Sequence, residues 1–461
     1  MREAIVTMLA AIATLLCALA IDPEPGPAIL AVVLCLSLSR SHLDRDMKGR
    51  IEAAIVLPLV GILAVGVGML LRHLPWIGAL VFVTGITLSI WLRRFGLMAC
   101  RAGSLIALPF VTLLTTPYVL TTKVGAVFAI FVPIIVALLA LLWVSVFHAL
   151  ARLARLLPSA RATVHAHAPS NAGSSLRPDA VTRMAIQMAV ALSVSFVVGY
   201  AFFAERWAWI VLTAFIVGSG NRGRLDVAYK SVLRVLGASA GTAIALLFTV
   251  HLGSHDEATV VLMLTAIFLG TWLRPLGYAW WALFVTLALA LLQGFTGSSP
   301  QYLLWLRLEE IVIGAIIGVT AAWLVLPVRS TAVLQRRIAD ALATLSDGLD
   351  PAKHARRSDD FITALARVEE VSPAFRASRR LTKTFQPVQP ADWIDTLAAC
   401  RDPAVAMIDA GQTPGSVRKA IGAARKSIRE PGEFSKALDA ILHSMARHSS
   451  TKESELAQSN E

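Results

Sequence analysis

Arg307, Glu309 and Glu310 stand together near the start of a long apolar run, LLWLRLEEIVIGAIIGVTAAWLVLP. A charge placed in a membrane-length helix costs roughly 2.5–3.5 kcal/mol on insertion scales. A segment that only anchors the chain would not keep three of them. The chemistry open to such a trio is attraction of an anion by the guanidinium and gain or loss of a proton by a carboxylate. A helix turns about 100° per residue, so Arg307, Glu310, Gly314 and Gly318 fall within an arc of roughly 80°. The same offsets recur in an earlier run as Arg234, Gly237, Gly241 and Ala245. Small residues four apart let two backbones approach closely in lipid, where no hydrophobic drive pulls helices together. Each stripe therefore predicts a tight helix contact with an arginine at one end. A plainer reading stays open, in which Arg307 and Glu310 neutralise each other as an i, i+3 pair near the interface.

Glu309 lies about 100° around the helix from Glu310, so the two carboxylates meet different surroundings. Both are candidates for proton coupling. Arg101, in LMACRAGSLIALP, is a further candidate for binding an anion. It sits one turn inside its run, where it either snorkels to the headgroups or faces the interior.

The elements that must position these groups follow from composition. The chain has 461 residues, of which 56% are hydrophobic and only 16% charged. Soluble domains average about 25% charged residues, so this is a membrane protein. The net charge of +12 does not point to nucleic acid, because Lys and Arg gather in short loops between apolar runs. Four cysteines without CxxC or Cys/His spacing argue against a metal site or a disulfide framework. No HExxH, nucleophile elbow or phosphate-binding loop appears, so neither an enzyme nor a cofactor is expected.

Runs of membrane length number twelve, at about 4–21, 26–40, 51–71, 75–92, 97–116, 124–147, 182–203, 206–220, 231–251, 257–273, 277–295 and 303–327. The expected fold is all-α: a first six-helix half over 1–150, a linker over 151–180, and a second six-helix half over 181–328. Runs two and eight are short. With the N-terminus inside, one side receives the basic loops 40–50, 152–183 and 222–234, and the other side's loops are nearly free of Lys and Arg. The positive-inside rule makes the first side cytoplasmic.

After Pro327 charge rises abruptly, and segments such as TAVLQRRIADALATLSDGL show helical periodicity broken by prolines. Residues 329–447 read as a cytoplasmic helical domain and 448–461 as a disordered tail. Arg376, Arg379, Arg380 and Lys383 share one face, either solvated or against anionic lipid.

Three pieces, ERWAWIVLTAFIVGSGNRG, RVLGASAGTAIALL and RLEEIVIGAIIGVTAAWLVLP, occur in the order seen in fusaric acid resistance (FUSC-like) proteins of the aromatic acid exporter superfamily, which the chain resembles over about 182–345. The resemblance implies an inner-membrane exporter of aromatic carboxylic acids working with a periplasmic adaptor protein. A more distant likeness is to plant aluminium-activated malate transporters, which conduct anions. Carried onto this chain, the motif residues are Trp209, Arg222, Arg234, Gly237, Gly241, Arg307, Glu310, Gly314 and Gly318. The first half matches mainly in hydropathy, which leaves open whether both halves bind substrate.

Two other readings compete. A major-facilitator transporter also has six plus six spans, and RSHLDRDMKGR resembles its loop signature without the leading glycine and with one residue extra. A passive anion channel would need the arginines and no proton. The expectation taken forward is proton-coupled export of a small organic anion, with the lipid bilayer, an adaptor and a second copy of the chain as partners.

Overall fold

The computed structural model describes residues 1–23, 25–41, 47–95, 126–156, 179–204, 206–249, 256–295, 301–353, 357–382, 384, 389–459 and single positions between 99 and 114. Arg101 and most of the fifth apolar run and of the linker, including 157–178, lie outside these residues. All regular structure among the described residues is helical.

The chain divides into two compact units, one of 1–221 with 230–327, the other of 222–229 with 328–461. The first begins with α1 (Arg2–Ile21), α2 (Pro25–Ser41), α3 (Met47–His73), α4 (Pro75–Trp91) and α5 (Ala126–Leu153). It continues with α6 (Ala180–Phe202), α7 (Trp207–Gly218), α8 (Arg224–Thr249, of which 230–249 belong to this unit), α9 (Glu257–Leu273), α10 (Tyr278–Phe295) and α11 (Gln301–Leu324). Among the described residues seven helical segments are long and apolar enough to cross a membrane, which makes this a multi-pass membrane protein. The stretch 26–39 of α2 and the whole of α7 are apolar but shorter, as the short second and eighth runs imply. Helix α11 has the length to span, at 24 residues, but carries the three charged groups.

Packing follows from small residues. Helix α4 starts on Pro75, whose fixed φ suits a first turn. A Cβ on Gly78 would stand 2.4 Å from the Leu71 backbone nitrogen, so only glycine permits this tight α3–α4 hairpin. Helices α1, α2 and α5 close over Ala10, Ala11, Leu34, Ala137 and Ala140. Helices α4, α6 and α7 share a denser core of Phe82, Phe196, Leu192 and Val211. There the rings of Phe82 and Phe196 meet edge-on at 5.5 Å.

The second unit holds α12 (Ser330–Gly348), α13 (Ser358–Glu369), α14 (Ser372–Thr382), α15 (Pro390–Ala399), α16 (Arg401–Asp409), α17 (Gly415–Ser427) and α18 (Pro431–Ser459). Apolar residues at helical spacing, such as Leu334, Ile338, Leu342 and Leu345, bury fully. Trp393 and Phe434 meet edge-on at 5.2 Å in the same core. Helix α15 begins with a reciprocal cap between Gln389 and Asp392.

Two boundaries differ from expectation. Residues 222–229 group with the C-terminal unit, where the Arg224 amide donates to the Val328 carbonyl at 3.1 Å. The tail expected to be disordered from His448 continues α18 to Ser459. Its sequence, KESELAQ, consists mostly of good helix formers that elongate an existing helix at little cost.

Two members of the basic face of α14 are partly exposed and paired with carboxylates of α15. Arg376 and Arg379 pair with Asp395 at 2.7 and 2.8 Å, and Arg379 also meets Asp392 at 2.7 Å. Partial burial pushes the Asp395 carboxyl up, yet the two arginines outweigh it and hold the group below the usual aspartate range.

Candidate functional site

Arg307, Glu310 and Arg234 are 3%, 0% and 1% exposed. No helix interior accepts such groups without a compensating reason. The glycine stripe explains how they are brought in. A Cβ on Gly314 would stand 2.5 Å from the Ile210 carbonyl oxygen, and one on Gly318 would stand 3.1 Å from Val217 Cγ1. Helix α11 therefore lies backbone-to-backbone on α7. That contact sets the first turn of α7 beside the charged end of α11, and Arg307 Cζ sits 3.8 Å from the centre of the Trp209 ring.

Arg206, just before α7, completes the group. Its Nε lies 3.2 Å from Glu310 Oε1. The pair is an ion pair by distance but not an aligned hydrogen bond, since both Glu310 oxygens and Arg206 Nη1 lack a hydrogen-bond partner among the described residues. The same holds for all three nitrogens of Arg307 and for Nε of Arg234.

The second stripe is equally tight but has a different neighbour. A Cβ on Gly237 would meet the Ala279 carbonyl oxygen at 2.6 Å, and one on Gly241 the Leu283 carbonyl oxygen at 2.4 Å. Helix α8 is thus seated on α10. Arg234, ten residues into α8, comes near enough to Arg307 for the two charges to repel.

Magnitudes show what this arrangement lacks. A desolvated cation–π contact is worth about 2 kcal/mol. Leaving a buried donor unmade costs about 1–3 kcal/mol, more when it is charged, and a buried unpaired ion costs several. Glu310 is shared between Arg206 and Arg307, and Arg234 adds a further buried positive charge beside Arg307, so Trp209 and Glu310 do not offset the burden. A ligand bearing negative charge and hydrogen-bond acceptors would.

The remaining candidates go elsewhere. Glu309 is exposed on the side of α11 away from this cluster, as its angular offset requires. Arg222 belongs to the C-terminal unit, where its Nη2 lies 3.1 Å from Glu370 Oε2 and its Nη1 donates to the Glu370 carbonyl at 2.8 Å. Arg206 is a member that helix periodicity does not mark, since it stands in ERWAWIVL one residue before the helix that carries Trp209.

Residues 190–321 match a family model described as fusaric acid resistance protein-like. The matched stretch holds Arg206, Trp209, Arg234, Arg307, Glu310 and both glycine stripes, so the resemblance seen in the sequence is borne out over the second half. No curated protein and no solved structure matches the chain.

Proposed function

We propose that the protein exports small organic anions, chiefly aromatic carboxylic acids, across a bacterial inner membrane in exchange for protons. Twelve spans with both termini cytoplasmic fit the distribution of basic loops. The observation that carries the reading is Arg307: buried to 3% exposure, unbonded at all three nitrogens among the described residues, and laid on an indole ring. A carboxylate would take hydrogen bonds from that guanidinium in the two-pronged geometry arginine favours. Arg234 adds a second positive charge, and Trp209 offers an apolar plane to the ring of the substrate.

Glu310 and Arg206 supply the proton-dependent step. Taking up a proton removes the charge that holds Arg206, and the ion pair at the start of α7 is released. In the proposed orientation this is the outer end of α11, so a proton entering from outside meets Glu310 within one helical turn of the anion site. Release of the pair would open the way out, and loss of the proton would restore it. A periplasmic adaptor and self-association belong to this reading as partners, and co-purification from cross-linked membranes tests both.

Proteoliposomes loaded with benzoate test the function. Efflux driven by an imposed pH gradient should be abolished by Arg307→Gln at unchanged protein level. Undiminished efflux in that variant rejects the site. Efflux that ignores the gradient and survives Glu310→Gln assigns the protein to the passive channels instead.

A further inference from the structure

A second polar constellation lies in the same unit, apart from Arg307. A cleft of about 230 Å³ is lined by Glu3, Thr7, Ser39, Thr271 and Arg274, with Ala4 and Leu36 between them. Three of these come from α1 and α2 in the first half, and the other two, Thr271 and Arg274, from the end of α9 and the turn after it in the second. Both halves of the membrane unit therefore build its walls.

The wall is unusually polar for a helix-packing seam. Thr7 and Ser39 are 7% and 8% exposed, and their hydroxyl oxygens are 2.6 Å apart. Behind them Ser39 Oγ lies 3.5 Å from Nε2 of His148, a residue of α5 that is 5% exposed. His148 Nδ1 lies 2.9 Å from the Val144 carbonyl, so that nitrogen carries a proton and donates. Thr7 Oγ1 also donates to the Glu3 carbonyl at 2.9 Å, the local i−4 bond that a hydroxyl in a helix readily exchanges. Ser39 can turn its one proton toward a ligand while its oxygen accepts a replacement hydrogen bond from Thr7; His148 Nε2, the ring nitrogen without a proton, only accepts. Arg274 faces them across the cleft, and its Cζ lies 5.7 Å from the centre of the Trp281 ring.

We infer that this cleft is a second binding site, for the carboxylate of a small organic acid, and that it loads substrate from the side of the membrane where the chain begins. Arg274 supplies the charge, Ser39 supplies a directed donor backed by the Thr7 hydroxyl, and Trp281 holds the guanidinium by a cation–π contact. Glu3 at the rim opposes the anion and keeps its stay short, which suits a site that must pass its ligand on. The choice of an organic acid rests on the proposed function. The existence of the site rests on the cleft alone.

Titration calorimetry of the full-length protein in phosphatidylcholine nanodiscs, with benzoate and its neutral isostere benzamide, decides it. Two benzoates should bind each chain, with Arg274→Gln removing one and Arg307→Gln the other. Arg274→Lys should retain weakened binding, and Glu3→Gln should tighten the Arg274-dependent event severalfold. A merely structural role for these residues would not produce that opposite sign. One benzoate lost only in Arg307→Gln overturns this inference and leaves the buried site standing. One lost only in Arg274→Gln keeps this inference and removes the buried site. Absence of binding, equal binding of benzamide, or displacement of the Arg274-dependent benzoate by phosphatidylglycerol, which would make the cleft a lipid headgroup site, overturns it.

Discussion

Arginines are treated in opposite ways in the two compact units. In the C-terminal unit Arg222, Arg337, Arg376 and Arg379 all meet a carboxylate within 3.2 Å, with side chains a quarter to a half exposed. In the membrane unit Arg234 and Arg307 are almost wholly buried, and their Nε atoms lack hydrogen-bond partners among the described residues. The first pattern is what a helical domain in water does with its charges: it pairs them at the surface, where each pair is worth little and water screens the rest. The second is destabilising in the unliganded fold. The proposed function gives the buried pair a reason to be kept, whereas the paired arginines of the C-terminal unit need none beyond their partners.

Replacing one arginine in each unit gives the sharpest contrast. Arg307→Met should lower benzoate efflux by on the order of 100-fold, the scale of losing a buried charged hydrogen-bonding partner. It should also leave stability unchanged or raise it by about 1–4 kcal/mol, because an apolar chain of similar volume carries no desolvation penalty. Thermal unfolding beside transport checks this, and a variant that is both inactive and unstable would place Arg307 in the structural class.

The glycine stripes come next. Gly314→Ala and Gly237→Ala put a methyl group 2.5–2.6 Å from a backbone oxygen on the facing helix. Backbone cannot swing aside as a side chain can, so about 1–3 kcal/mol should be lost in each, read as a fall in melting temperature. Gly318→Ala meets only a Val217 methyl group at 3.1 Å and should cost less. Equal behaviour of Gly314 and Gly318 would show that α7 and α11 are not seated as described.

Arg379→Gln should have a small effect, within about 1 kcal/mol, since its partners are partly exposed. The pH dependence has a definite sign. Asp395 is held below the ordinary aspartate range in the folded state, so its contribution is full above its unfolded value and is lost as pH falls through the folded one. Acid unfolding of the C-terminal unit should therefore shift to higher pH in Arg376→Gln and Arg379→Gln, and added salt should shrink the shift. The smallest effect is chemical. Burial pushes the Cys400 thiol up to about 12, so maleimide should leave it unmodified near neutral pH until the unit unfolds.

Much of this architecture is legible in the residues. Runs of apolar side chains long enough for a bilayer mark the helices, because lipid offers the backbone no other partners. The offsets of Arg307, Glu310, Gly314 and Gly318 place them on one face, and the helix keeps that promise, since 100° per residue is local geometry. The same rule separates exposed Glu309 from buried Glu310. The proline-punctuated helices after Pro327 were likewise readable, because their apolar spacing is periodic.

Other features needed the assembled chain. Arg206 and Glu310 are about a hundred positions apart, and nothing in either segment names the other. Arg222 sits two residues before α8 yet belongs with Glu370, because the chain enters that helix from the C-terminal unit. The helical extension to Ser459 came from elongation of a packed helix, a contribution composition alone does not register. By itself the sequence determined which helix faces carry charge and which carry glycine, because those depend on neighbours three and four residues away. Which helix each stripe meets, and whether a charge finds a partner there, only the tertiary structure decided. Such contacts depend on how distant segments pack, and helical periodicity says nothing about distance along the chain.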